Sequence, residues 1–154
     1  MRCRKQTVLA IIFWVLTAVC CGVIFYYSSC DADTSHQQST SILKIIYAIF
    51  GKNAATMFIV RKCAHFLEFT GTSLVMSAAF YYTLNQNKLY LPIAFTSLYA
   101  VSDEVHQIFV NGRSCELRDW AIDTLGAVLG ACIYILIYTA VVKIKELHTR
   151  RMEK

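Results

Sequence analysis

Residues Thr7 to Tyr27 read TVLAIIFWVLTAVCCGVIFYY, a run with no charged side chain and with Phe25, Tyr26 and Tyr27 at its far end. A helix crosses a hydrocarbon core of about 30 Å with roughly 20 apolar residues, and aromatic residues collect at the membrane interface. The run therefore reads as a membrane span. The whole chain agrees: of 154 residues, 56% are hydrophobic and only 16% charged, and the mean hydropathy is +0.47. Such a composition lies outside the usual soluble range and makes lipid the expected solvent. The apolar core of this first run is longer than that of a secretory signal, and no small-x-small site follows it, so it is expected to stay as an anchor.

Three further windows of spanning length follow, each carrying acids or histidines. The expected fold is all-α and polytopic: a single membrane domain over 1–154 with four transmembrane helices at about 7–27, 64–84, 89–109 and 119–142. Between the first two, Ser28 to Ser41 is polar, and SILKIIYAIFG (41–51) is apolar but too short to cross. It is expected to lie as a short interfacial helix or lid. The second span is allowed to begin earlier, near Ala54.

Lysine and arginine close to the span ends set orientation. Arg2, Arg4 and Lys5 precede the first span, and Lys143, Lys145, Arg150, Arg151 and Lys154 follow the fourth. Both termini are therefore expected on the cytoplasmic side of the cell membrane, although Lys44, Lys52, Arg61, Lys62, Arg113 and Arg118 fall in or beside the outer segments. The net charge of +5 suits anionic lipid headgroups and calls for no nucleic-acid partner. Of the seven cysteines, Cys30, Cys63 and Cys115 fall outside or at that interface. A Cys30–Cys115 pair could oxidise, but free thiols are the simpler expectation. No Cys/His zinc spacing is present.

With this topology the polar residues of the last three spans fall in one layer, the outer leaflet and its surface. Helical neighbours recur at i, i+4, i+7 and i+11. Arg61, His65, Glu68 and Thr72 follow that series, as do Asp119, Asp123, Gly126 and Gly130. Tyr99, Asp103 and His106 make a third face, with Gln107 beside it and Glu104 turned about 100 degrees away. Each residue also has a structural reading. Lys62 is expected to snorkel to headgroups, Asp119 to sit at a helix N-terminus, and Glu116 and Arg118 to be solvated. Tyr99 reads as an interface aromatic, and Gly126 with Gly130 as a packing pair that could also join two copies in a homodimer. For Glu68 and Asp123 the structural reading is weaker, because an unpaired acid at depth costs about 2.5–3.5 kcal/mol on insertion scales.

The order R-K-x-x-H-F-x-E (from Arg61), D-E-x-H-Q (from Asp103), G-R (Gly112-Arg113) and D-x-x-x-D-x-x-G (from Asp119) resembles the VanZ-like family, over about Arg61 to Tyr138, within a family core placed at about 41–142. Phe69 stands where that family often has Tyr, and the loop Arg113 to Glu116 is less glycine-rich than usual. The resemblance implies a membrane process linked to teicoplanin-type glycopeptide resistance at the cell envelope, and no defined reaction. It carries over His65, Glu68, Asp103, Glu104, His106, Gln107, Arg113, Asp119 and Asp123 as motif positions.

Two functions fit these residues. In an enzyme acting on a lipid or cell-wall amphiphile, His65, Glu68, Asp103, Glu104, His106 and Asp123 would be the catalytic set, and Arg61, Gln107, Arg113 and Asp119 would bind substrate. The cofactor is unknown, and a divalent metal is possible on the His and carboxylate side chains. In a binding or transport protein the same groups would recognise a headgroup, an antibiotic or a proton.

Overall fold

A computed structural model describes residues 4–31, 40, 43–45, 47–48 and 57–152. Among these residues there is no strand, and four long helices form: α1 (Arg4–Ser28), α2 (Met57–Leu84), α3 (Tyr90–Gln107) and α4 (Leu117–Met152). The expected helix at 41–51 lies mostly outside the described residues; Leu43, Lys44 and Ile45 are helical. The second helix starts at Met57 rather than Ala64. The fourth continues to Met152, ten residues past the apolar run, because the added segment is rich in Lys, Glu, Leu and Arg, which favour helix in water.

Two helices, α1 and α4, are long and apolar enough to cross a membrane, with mean hydropathies of 2.8 and 2.3 over their most apolar 18-residue stretches. The other two fall short of the expected four clear spans for reasons visible in their sequences. Thr70, Thr72, Ser73 and Ser77 dilute α2, and Asp103, Glu104, His106 and Gln107 end α3. Around α1, only Ala10, Thr17, Ile24 and Ser28 are buried, while Ile11, Val15, Val19 and Phe25 are each more than half exposed. An apolar surface of that kind is unfavourable in water and neutral in lipid.

Helix α2 is the centre of the bundle, with α4 and α1 as its main neighbours. The α2–α4 contact is set by Gly126 and Gly130. A Cβ at Gly126 would strike the Phe66 carbonyl, and one at Gly130 would strike the Thr70 carbonyl and the Leu74 amide. At this crossing the Ser73 hydroxyl donates to the Ala127 carbonyl at 2.6 Å. Gly126 and Gly130 thus act as a packing pair against α2 of the same chain. Below the polar layer, Ile24, Phe69 and Ala100 form an apolar core, with Tyr99 and Trp120 packed against it. Phe69 is fully buried there, so its ring needs no hydroxyl.

Both turns are closed by residues with positive φ. Asn85 (φ 55°) ends α2, and its amide bonds the Tyr81 carbonyl at 2.7 Å. Gly112 (φ 74°) turns the chain between α3 and α4. Asn and Gly are the residues that adopt this conformation most readily. Pro92 sits in the first turn of α3, where its missing N–H breaks no helical bond.

The glycines separate packing from propensity. Gly130→Ala is expected to destabilise by about 1–3 kcal/mol through overpacking. Gly71→Ala, with nothing within 4 Å of the added Cβ, is expected to be neutral or to stabilise by up to about 1 kcal/mol. Thermal unfolding of the two variants in the same detergent checks the contrast.

Candidate functional site

The polar layer is built where α2 and α4 begin and α3 ends. Along α3 the buried face runs through Thr96, Ala100, Asp103, Glu104 and Gln107. Asp103 and Glu104 are each 3% exposed. The helix therefore turns both acids inward, and the expectation that Glu104 points away is corrected. The centre of the face lies between the 103 and 104 directions, because α3 packs against α2 and α4 on that side. Tyr99 and His106, placed on the inner face from spacing, lie toward α1 instead. The Tyr99 hydroxyl donates to the Cys21 carbonyl at 2.6 Å. His106 has its Nε2 3.1 Å from the Ser29 hydroxyl and its ring 4.6 Å from that of Phe25.

Each buried acid has a different arrangement. Asp103 accepts a bond from the Gln107 amide at 3.0 Å, one helical turn on. Glu104 accepts the backbone N–H of Glu116 at 2.7 Å, which ties the end of α3 to the start of α4. Asp119 pairs with Lys62. Lys62 is 8% exposed, so it does not reach for headgroups as expected; it locks the outer end of α2 to the first turn of α4. Asp123, one turn deeper, is 1% exposed, and neither of its carboxylate oxygens has a hydrogen-bond partner among the described residues.

Asp103 is the common electrostatic neighbour. It acts on His65 and Glu68 from α2, on Asp123 from α4, and on Arg113 from the loop. His65 and Glu68 are half-buried, and Glu68 is held in place through its helix, where Thr72 donates to the Glu68 carbonyl at 2.8 Å. Arg113 reaches back to α1 and donates from Nη2 to the Tyr27 carbonyl at 3.2 Å. Its Nε is buried without a partner among the described residues. Burial and the nearby Arg61 weaken its hold on its proton, and Asp103 opposes them. In the same loop Glu116 is held below its ordinary range by a hydrogen bond from Arg118 at 2.7 Å.

Of the residues singled out in the sequence, His65, Glu68, Asp103, Glu104, Asp123, Arg113 and Arg61 come into one electrostatic neighbourhood. Gln107 orients Asp103, and Asp119 is engaged by Lys62. His106 stands apart on the α1 side. The residue missed was Lys62, and the series Lys62, Phe69, Ser73 and Met76, all buried, has the helical spacing that marks the inner face of α2. For a metal, the described residues offer no group of three or more His, Cys, Asp or Glu side chains placed to hold an ion. Cys30, Cys63 and Cys115 are free.

The arrangement can store or pass a proton and can attract a cationic or phosphate-bearing group. Carboxylates at close quarters and a partly free guanidinium are the elements of acid–base chemistry and of anion recognition. A family model described as VanZ/LLP1 matches residues 13–138. Among curated proteins and among solved structures nothing matches.

Removing one partner of a buried ion pair leaves the other charge uncompensated, at a cost of about 3–5 kcal/mol. Lys62→Met and Asp119→Asn are each expected to destabilise within that range. The double variant should lose less than the sum of the two, as measured by thermal unfolding in a double-mutant cycle.

Proposed function

Because the chain belongs to the VanZ-like family, a premise that makes it a membrane protein, we propose that it is a multi-pass protein of the cell membrane with four spans and both termini in the cytoplasm. Its outward-facing ionisable pocket acts on a lipid or other envelope amphiphile. The proposed spans are α1 to α4, with the buried polar faces of α2 and α3 turned to the bundle interior and the exposed apolar side chains of α3, Phe95, Leu98, Val101 and Val105, turned to lipid.

The observation that carries this reading is Asp123. A buried carboxylate without a hydrogen-bond partner is unfavourable by several kcal/mol unless it is protonated, paired or bound. Here it lies in the field of three acids, Asp103, Glu104 and Asp119, and of the Lys62 cation, and Asp103 also acts on Glu68. Such a set is poorly suited to holding an anion by itself and well suited to moving a proton. In the proposed reaction Glu68, Asp103 and Asp123 exchange protons with the amphiphile, and His65 serves as the second acid–base group. Arg113 and Arg61 bind its phosphate or carboxylate. Gln107 and Glu104 hold Asp103 and the loop in position. The site is placed on the extracytoplasmic side, where a phosphate-bearing lipid or a lipid-linked wall precursor is within reach.

A second reading is favoured by one feature, the lack of a fixed Ser or Cys nucleophile among these residues: the same cluster binds a headgroup, an antibiotic or a proton without chemistry. If the amphiphile is a wall precursor, a link to teicoplanin-type resistance follows, and deleting the protein in a resistant host should lower the inhibitory concentration.

The test is turnover. Purified protein is incubated with total bacterial lipid, with and without EDTA, and products are read by mass spectrometry. Wild type should form a product, and Glu68→Gln and Asp123→Asn should lower its rate by roughly 100-fold or more, within the range for loss of an acid–base group. His106→Ala, which removes a ring packed on α1, should cost less than about tenfold. Lipid binding without product, weakened by the same two acid variants, selects the second reading.

A further inference from the structure

At the opposite end of the bundle from the ionisable cluster, α1, α2 and α4 enclose a cleft of about 660 Å³. That volume lies within the range of small-ligand pockets. Its inner walls are apolar and come from all three helices: Leu9 and Phe13, Leu74 and Ala78, Ile137 and Val141. Tyr82 stacks on Phe13 at 5.5 Å, and Tyr138 meets Tyr81 edge to face, with their hydroxyls 3.4 Å apart. Four tyrosines, Tyr81, Tyr82, Tyr134 and Tyr138, thus line the cleft beside the apolar walls. Toward the chain termini the lining changes to Lys5, Gln6 and Lys145, and among the described residues no acid lines the cleft. The nearest acid along α4, Glu146, borders an adjoining surface groove that shares Val142 and Lys145 with the cleft and also carries Arg150.

A slot of this shape, apolar in depth and cationic at its mouth, complements a molecule with a hydrocarbon tail and an anionic head. A free anion would leave the walls unfilled. A zwitterionic head would bring a positive charge to two lysines where, among the described residues, the cleft lining itself offers no acid. Basic side chains near the membrane surface attract anionic lipid, and long lysine stems reach from apolar walls to the headgroup level. We propose that this cleft holds an acyl chain of an anionic phospholipid of the leaflet that contains both chain termini, with its phosphate at Lys5 and Lys145. The proposal rests on α1 and α4 spanning the membrane and is independent of the chemistry assigned to the outer cluster.

The experiment is native mass spectrometry of the full chain released from nanodiscs of equal phosphatidylglycerol and phosphatidylcholine. Wild type should retain phosphatidylglycerol preferentially. Lys5→Gln combined with Lys145→Gln, both at exposed positions, should reduce that retention roughly 10- to 30-fold. Val141→Trp, at a wall position that is 44% exposed, should fill the slot and reduce retention of the same lipid. Lys143→Gln, an exposed lysine outside the cleft, should leave it unchanged. Equal retention of the two lipids by wild type, an equal loss on Lys143→Gln, or full retention by Val141→Trp would each overturn the proposal. Helical content by circular dichroism accompanies every variant, so a loss through unfolding is recognised as such.

Discussion

The close approach of α2 and α4 at Gly126 and Gly130 is the constraint on which the rest depends. Two helices without side chains at their crossing can bring backbones into contact, and in lipid, where the hydrophobic effect no longer drives association, such packing is a main source of affinity between helices. Here the contact places the Phe66 and Thr70 carbonyls against the glycines and lets Ser73 bond across to Ala127. It fixes the register of α2 on α4 at the level of Glu68, about a turn below Asp123 and one to two turns below Lys62 and Asp119. The positions of those four ionisable residues follow from that register.

Given that frame, α3 completes the layer from the third side. Its last two turns present Asp103, Glu104 and Gln107 inward, and the loop returns Arg113 to the same level. The charges are handled unequally. Lys62 neutralises Asp119, a backbone N–H serves Glu104, and an amide serves Asp103, whereas Asp123 has none of these. A structural network tends to satisfy all of its buried members. One deep acid left over, next to a pair that shares its field, is the pattern of a group whose partner is a proton or a ligand.

Much of this was legible in the sequence, and the failures share one physical origin. The Thr7 to Tyr27 run identified α1 because length and lack of charge suffice in a bilayer. The spacing of Asp119, Asp123, Gly126 and Gly130 correctly placed acids above a packing face. The phase of α3 was misread, with His106 assigned inward and Glu104 outward. In water, Leu98, Val101 and Val105 would have marked the inner face, but here they are exposed, since a lipid-facing surface is as apolar as a core. Only the polar residues carry the phase, and five of the six residues from 102 to 107 can ionise or hydrogen-bond. Lys62 was misread because its partner lies 57 residues away, and a lysine near a span end has snorkelling as its local explanation. The inner cleft has no motif at all; it exists only through the packing of three helices.

The central claim is that α2, α3 and α4 bring separate acids to one level around Asp103. Solid-state NMR of the protein in lipid bilayers, with carbon-13 in its Asp and Glu carboxyls and its Gln side-chain amides, tests it directly, and only ten acidic residues contribute carboxyls. The account predicts through-space correlations from the Asp103 carboxyl to those of Glu68 and Asp123, alongside the contact within α3 to the Gln107 amide. If the Gln107 contact is seen while both correlations between helices are absent, the acids stand on different walls and the account is wrong.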